Sequence, residues 1–344
     1  MGRAGSSPAP GTNMFYKSLL LVIFLLPFTG CNSSKTTGTP TSTSAPTGDK
    51  SSPTPTLDTN FVTNNLDWVL QLKDQDKKLP LQTDGSITFG VADVKATDQS
   101  VVKIVLPGIP ALGPNDASSP SYANQISTKQ LLSFGTYRTR VKAASCQPNE
   151  EVVTGVFTYS YGADLNGDGV IDAQEESADT NKNGINDNNE IDIEILCGTP
   201  NYLWMTIWTD YTDDTHLQKV TRRIDLATSK IKQTTPGQEE TYGTNSVINE
   251  TIPGLPIPGF DFTSNFYEMG FDWQPDHVRY FIVVNGQEIT LWNFAQKNFI
   301  PQNSAHFMLN VWHDNEHWVG SGDPADYPNQ DATLEADWFQ YWTN

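Results

Sequence analysis

Only 3 of the 344 residues are cysteine, which excludes a scaffold built on disulfides. Basic side chains are also short: 21 Lys and Arg stand against 40 Asp and Glu, a formal charge of −19. Phosphate backbones need basic patches, so a nucleic-acid partner is excluded and a neutral or cationic one is easier to accommodate. No long stretch repeats apolar residues at helical spacing, which excludes a helical domain. What remains has ordinary hydrophobic content (37%), many aromatics (11%) and enough length to bury a full core in one large β domain or two smaller ones.

The N-terminus reads as targeting rather than fold. From Met14 the chain runs MFYKSLLLVIFLLPFTGC, with one positive charge, a short apolar run and small residues before Cys31. The pattern resembles a bacterial lipoprotein signal with Cys31 as the lipidated residue and Phe28 where Leu is usual; an ordinary secretion signal or a single anchor helix is the alternative. Residues 1–31 are therefore an extension and signal. Residues 32–57 are rich in Ser, Thr and Pro, bury too little apolar surface to fold, and read as a tether. The expectation is an exported monomer, lipid-anchored at the bacterial cell envelope or else secreted, that meets the membrane only through its anchor. The globular domain spans 58–344.

That domain is a succession of short β-branched or aromatic runs ending in Gly, Pro, Asn or Asp: SITFGVADV, SVVKIVL, GTYRTRVKAA, VVTGVFTYSY, EIDIEIL, YLWMTIWTD, FYEMGFDW, VRYFIVVNGQEITLW, HFMLNVW and ATLEADWFQYW. So many strands in one continuous domain predict an all-β sandwich of two antiparallel sheets, of the jelly-roll kind.

One strand is unusual. In NNEIDIEIL, residues 188–196, alternation puts Glu190, Asp192 and Glu194 on one face and Ile191, Ile193 and Ile195 on the other. Stacked like charges repel, so the acidic face must do something that outweighs its cost. A pair of carboxyl groups roughly 5 to 5.5 Å apart can cleave a glycosidic bond with retention, and a third between them tunes their protonation.

The strand matches E-[ILV]-D-[ILV]-E, and with it the chain resembles the family 16 glycoside hydrolases. SFGTYRTRVKAA, GVFTYSY, FDWQPDHVRYFIVVNGQ, FMLNVW and EADWFQYW resemble further family strands in the family's order. The resemblance implies a jelly roll with Glu190 as nucleophile, Asp192 as assisting carboxylate and Glu194 as general acid/base. It also implies a cleft lined by aromatics, for which Trp204, Trp208 and Trp312 are the candidates, with Asn310 on the face of Trp312 as a further substrate-binding candidate. By alternation Trp204, Thr206 and Trp208 share a face opposite Met205 and Ile207, which suit the core. His313, Asp314, Asn315 and His317 follow Trp312 in a polar loop, with Trp318 beside them. The family often carries a structural calcium bound by the aspartate of its closing strand, the position of Asp337.

The segment between GVFTYSY and EIDIE departs from the family. DLNGDGVIDAQE fits an EF-hand-like calcium loop, with Asp164, Asn166, Asp168, the Val170 carbonyl, Asp172 and Glu175 at ligand positions. A second copy, DTNKNGINDNNE, places Asp179, Asn181, Asn183, the Ile185 carbonyl and Asp187 likewise. Its twelfth position is Glu190, and a carboxylate bidentate on calcium is a poor nucleophile, so the second loop is expected to draw on other ligands. Structural Ca²⁺ is thus the expected cofactor, against the plainer reading of an acidic insertion. With Cys31 lipidated, Cys146 and Cys197 remain at the ends of neighbouring antiparallel strands, where a disulfide is favoured over free thiols.

These features lead us to expect a retaining endo-acting hydrolase of a β-glycan, a β-1,3- or mixed-linkage β-1,3-1,4-glucan, with a polysaccharide as partner. A transglycosylase remodelling glycans, or an inactive carbohydrate-binding sandwich, is the alternative.

Overall fold

The computed structural model describes residues 22–24, 54–60, 68–73, 101–109, 123–210, 218–237, 246–314, 317–319 and 324–343. Cys31, most of the tether, the SITFGVADV run and Asn315 lie outside the described residues. The first strands are β1 (Val22–Phe24), β2 (Leu57–Asn60), β3 (Trp68–Lys73), β4 (Val102–Leu106), β5 (Ala123–Thr128), β6 (Gly135–Lys142) and β7 (Val152–Tyr161). After the acidic segment come β8 (Asn188–Leu196), β9 (Tyr202–Trp208), β10 (Lys219–Asp225), β11 (Lys230–Gln233) and β12 (Ser246–Ile248). The chain closes with β13 (Tyr267–Trp273), β14 (Val278–Val284), β15 (Gln287–Phe294), β16 (His306–His313) and β17 (Ala332–Thr343). Among the described residues the only named helical segments are 3-10 turns at Glu175–Ser177 and Lys297–Phe299.

The strands form two antiparallel sheets, as the sequence predicts. One runs β1-β3-β5-β16-β7-β8-β9-β10-β11-β12; the other runs β15-β14-β13-β6-β17-β2, with β4 also paired to β17. Residues alternate between core and surface along β4 and β6, which is what a half-solvated sheet requires. The inner faces meet through aromatics. Phe307 of β16 stacks on Phe339 of β17 with centroids 4.1 Å apart, and the Tyr280 hydroxyl of β14 donates to the Thr206 carbonyl of β9 at 2.9 Å. Ile191, Ile193, Ile195, Met205 and Ile207 are fully buried in this core. β1 falls inside the segment read as an export signal, but among the described residues it pairs only with β3 at the sheet edge, so a cleaved leader would leave every other described pairing intact.

Cys146 and Cys197 are disulfide-bonded across a sequence separation of 51. Cys197 also donates its backbone N–H to the Val152 carbonyl at 2.9 Å, so the bridge fastens the start of β7 to the end of β8. Closing a loop of that length removes about 4 kcal/mol of chain entropy from the unfolded state. Strand β8, which carries the three carboxylates, is therefore held by a neighbour on each side, by the disulfide at one end and by the acidic segment at the other.

Candidate active site

The face of β8 turned away from the core carries Glu190, Asp192 and Glu194. In the register, Glu190 lies between Tyr159 and Trp208, Asp192 between Phe157 and Thr206, and Glu194 between Gly155 and Trp204. The outer two carboxylates are half-buried, while Asp192 is 4% exposed. Phe157, Tyr159 and Met308 make an apolar flank on β7 and β16.

Burial is the main reason the Asp192 carboxyl sits well above the usual aspartate range; the charges of Glu190 and Glu194 and a hydrogen bond to Glu190 push it further up. The Trp208 indole opposes this by donating from Nε1 to Asp192 Oδ2 at 2.8 Å. A proton kept on Asp192 removes one of three charges from the face and lets that residue donate to Glu190, fixing the orientation of the Glu190 carboxylate. Favouring the neutral form of Asp192 in this way lowers the cost of the acidic stripe.

A test follows from Asn mimicking a protonated Asp. Asp192 binds its proton more tightly folded than unfolded, so its contribution to stability is greatest below the unfolded value and is lost as pH rises toward the raised folded value. Asp192→Asn should abolish that component of the decline, melting at or above the wild-type temperature at neutral pH and varying less with pH from 4 to 8. Asp192→Ala, which leaves Trp208 Nε1 without its acceptor, should lose about 1–3 kcal/mol. Melting curves across pH for both variants decide; a wild-type slope retained in Asp192→Asn would contradict a proton on Asp192.

The tryptophans take the face that alternation predicts and are then covered. Trp208 is 8% exposed, with the Lys219 ammonium 4.1 Å from its ring centroid. Trp204 is 3% exposed, between the Arg223 guanidinium at 4.8 Å and the edge-on ring of Trp318 at 5.3 Å. Trp312 and Trp318 are half-buried, with centroids 5.6 Å apart, and present more open ring to a ligand. Asn310 lies across Gly155 from Glu194 in the same row. A Cβ on Gly155 would come within 2.2 Å of Asn310 Oδ1, so only glycine lets that side chain lie beside Glu194. Asn310 Oδ1 is buried with no hydrogen-bond partner among the described residues.

The polar loop after β16 is more tied down than a solvated loop. His317 Nδ1 meets Glu151 Oε2 at 3.0 Å, His313 Nδ1 meets the Glu151 carbonyl at 3.0 Å, and Trp318 Nε1 donates to Asp314 Oδ2 at 2.7 Å. Burial raises the Glu151 carboxyl while its hydrogen bond to His317 lowers it. Glu151, Gly155, Lys219 and Arg223 escaped the sequence reading, although Lys219, Thr221 and Arg223 carry a period-two signal within QKVTRRID.

The two acidic loops fold alike. The fourth and sixth positions have positive φ in both: Gly167 (77°) and Gly169 (85°), then Lys182 (61°) and Gly184 (87°). Asp164 accepts from the Gly167 and Gly169 amides, and Asp179 from those of Asn183 and Gly184. Asn166, Asp168, Asn181 and Asn183 each accept from the amide two residues on. Val170 and Ile185 hold the carbonyl positions. Asp172 accepts from the Gln174 and Glu175 amides, and Glu175 reaches back to those of Leu165 and Asn166. In the second loop Asp187 accepts from Thr180 N, and Glu190 remains on β8 with its hydrogen bond to Asp192. Asp210, just past β9, receives Asn181 Nδ2 at 2.6 Å and Asn183 Nδ2 at 2.8 Å. Among the described residues no group of three or more His, Cys, Asp and Glu side chains is drawn together as a metal cluster. Asp337, on the opposite sheet, pairs with Arg140 Nη1 at 2.6 Å.

A two-sheet β sandwich with three carboxylates on the open face of a central strand defines the class. No family model matches the sequence. The chain is similar to a protein named Beta-glucanase from Acetivibrio thermocellus, at 24% identity over 211 residues, 60% of this chain and 42% of that one. It is also similar to a Beta-glucanase from Paenibacillus polymyxa, at 30% identity over 115 residues, 33% of this chain and 43% of that one. It thus spans less than half the length of these curated relatives. Among solved structures, a prokaryotic beta-1,3-1,4-glucanase (lichenase) derived from a mouse hindgut metagenome is 17% identical with a TM-score of 0.41, covering 71% of this chain and 81% of that one. The kappa-carrageenase of Pseudoalteromonas carrageenovora is 14% identical with a TM-score of 0.45, covering 83% and 91%.

Proposed function

We propose that the chain is a retaining, endo-acting glycoside hydrolase of the family 16 kind, cleaving a β-1,3- or mixed-linkage β-1,3-1,4-glucan. The observation that carries this reading is the β8 triad, in which a buried Asp192, its carboxyl pushed up chiefly by burial, is hydrogen-bonded to Glu190 beside a half-buried Glu194. Glu190 attacks the anomeric carbon while Glu194 protonates the departing oxygen; water, activated by Glu194, then releases the sugar from Glu190. Similarity to proteins named Beta-glucanase supports the assignment. Export on a lipidated Cys31 suits a polymer that does not enter cells. The test is hydrolysis of laminarin and mixed-linkage glucan, with the product anomer followed by NMR: a retained configuration is expected, and an inverted one would overturn the mechanism.

The all-oxygen donor set of both loops suits Ca²⁺, which would neutralise the carboxylates and order the segment leading into Glu190. Asp210 joins the second loop to the end of β9, two residues from the Trp208 that holds Asp192. Chelation should therefore lower melting temperature and activity together, and Asp168→Ala should reproduce part of the effect. If Asp168→Ala and Asp179→Ala bind as much calcium as wild type and melt at the same temperature, the loops are solvated acidic insertions.

A further inference from the structure

The row of Glu194 does not end at Trp204: it continues across β10 and β11 as Arg223 and Lys232. Val220, Ile224 and Ile231 point into the core, so Arg223 and Lys232 share the face of the carboxylates. Arg223 is 6% exposed, its Nε meets no acceptor, and no carboxylate pairs with it among the described residues. The Nε1 of Trp204, whose ring lies against the guanidinium, is buried without an acceptor among the described residues as well. Lys232 stands directly opposite Arg223 in the register. Asp225, two residues along on the same face, already accepts from Asn201, Ala227 and Thr228.

The neighbouring arginine shows how this fold otherwise handles such a charge. Arg222, on the opposite face and 7% exposed, pairs with Glu250 at 3.0 Å and donates from Nε to Gln233 Oε1 at 2.8 Å. Arg223 has neither. An unpaired buried guanidinium costs free energy, a like charge directly across the strand adds to that cost, and stacking on Trp204 returns only part of it. A ligand carrying negative oxygens would complete the arrangement, since a guanidinium fork matches two oxygens of one anionic group and Trp204 Nε1 supplies a third donor.

We propose that Arg223, with Trp204 and Lys232, forms the subsite for an anionic substituent of the polysaccharide, a sulfate ester or a uronate carboxylate, on a sugar bound beyond Glu194 along this row. The inference rests on the retaining-hydrolase part of that reading and moves its substrate from a neutral β-glucan to an acidic β-glycan. The net charge of −19 does not oppose it, because exposed charges are screened beyond about 8 Å at physiological salt, while Arg223 and Lys232 stand at the subsite itself.

The experiment compares kcat/KM on two neutral glucans, laminarin and mixed-linkage glucan, with values on a sulfated polymer, carrageenan, and on carboxymethylated mixed-linkage glucan. Wild type should favour one acidic polymer by at least tenfold, and which one it is separates sulfate from carboxylate. Arg223→Gln should lose at least tenfold more on that polymer than on the neutral ones, mainly through KM, with Arg223→Lys in between. Because an unpaired charge is removed, Arg223→Gln should melt no lower than wild type, whereas a structural arginine would lower the melting temperature. Equal losses on all polymers, or no preference for an acidic one, overturns the subsite. Calorimetry of Glu190→Gln with acidic oligosaccharides separates the two readings. Arg223-dependent binding without any wild-type turnover keeps the subsite and removes the hydrolase; turnover of neutral glucans with no acidic binding does the reverse.

Discussion

Glu190→Gln is expected to abolish turnover on every polymer, by on the order of 10⁴-fold or more, because the step lost is formation of the glycosyl-enzyme itself. Gln keeps the volume of Glu and still offers an oxygen to the Asp192 proton, so the fold and the neighbouring hydrogen bonds survive. It also takes a charge off a face that carries too many, so the variant should melt at or slightly above the wild-type temperature. A dead but well-folded protein separates chemistry from stability. Near wild-type rates on any polymer would remove Glu190 from the nucleophile's position, and with it the double displacement.

How much of this was legible in the sequence depended on whether alternation was visible. EIDIEIL shows both faces of β8 because apolar and acidic residues interleave without a break, and the core position of the three isoleucines follows directly. The closing strand β17 and its partner β6 were legible for the same reason. Strand β10 was passed over, because Lys219, Arg222 and Arg223 leave KVTRRID with few apolar residues to mark a core face; its pattern makes sense once Trp204 and Trp208 lie under its cations. β5, ANQIST, carries too few apolar residues to announce itself, and its place beside β16 comes from tertiary pairing.

The tryptophans show the limit more sharply. Period two assigned Trp204 and Trp208 to the right face, but what covers a face comes from other strands, and nothing in YLWMTIW says that β10 contributes a lysine and an arginine above the rings. The acidic segment before β8 is the opposite case. The glycines at the sixth positions, Gly169 and Gly184, have positive φ, where a side chain is strained, so the turn geometry was legible from residue type alone. That Asp210 reaches the second loop was not, since it arrives from the far end of β9.

Glu194→Ala should separate the two halves of the mechanism. Glu194 sits in a row with Gly155 on one side and Trp204 on the other, so truncating it opens space toward Asn310 without disturbing the Asp192 and Glu190 pair one row and two rows away. With no acid to protonate the departing oxygen, polymer hydrolysis should fall by about 10²–10⁴-fold. A dinitrophenyl glycoside carries a leaving group that needs no proton, so its first step should run at near wild-type rate. Glycosyl-enzyme on Glu190 should then accumulate, because the water of the second step has lost its base. Intact-mass spectrometry of Glu194→Ala with such a substrate should therefore find the protein heavier by one glycosyl unit, and the added mass should vanish in Glu194→Ala/Glu190→Gln. If the activated substrate is slowed as much as the polymer and no adduct forms, Glu194 is not the proton donor.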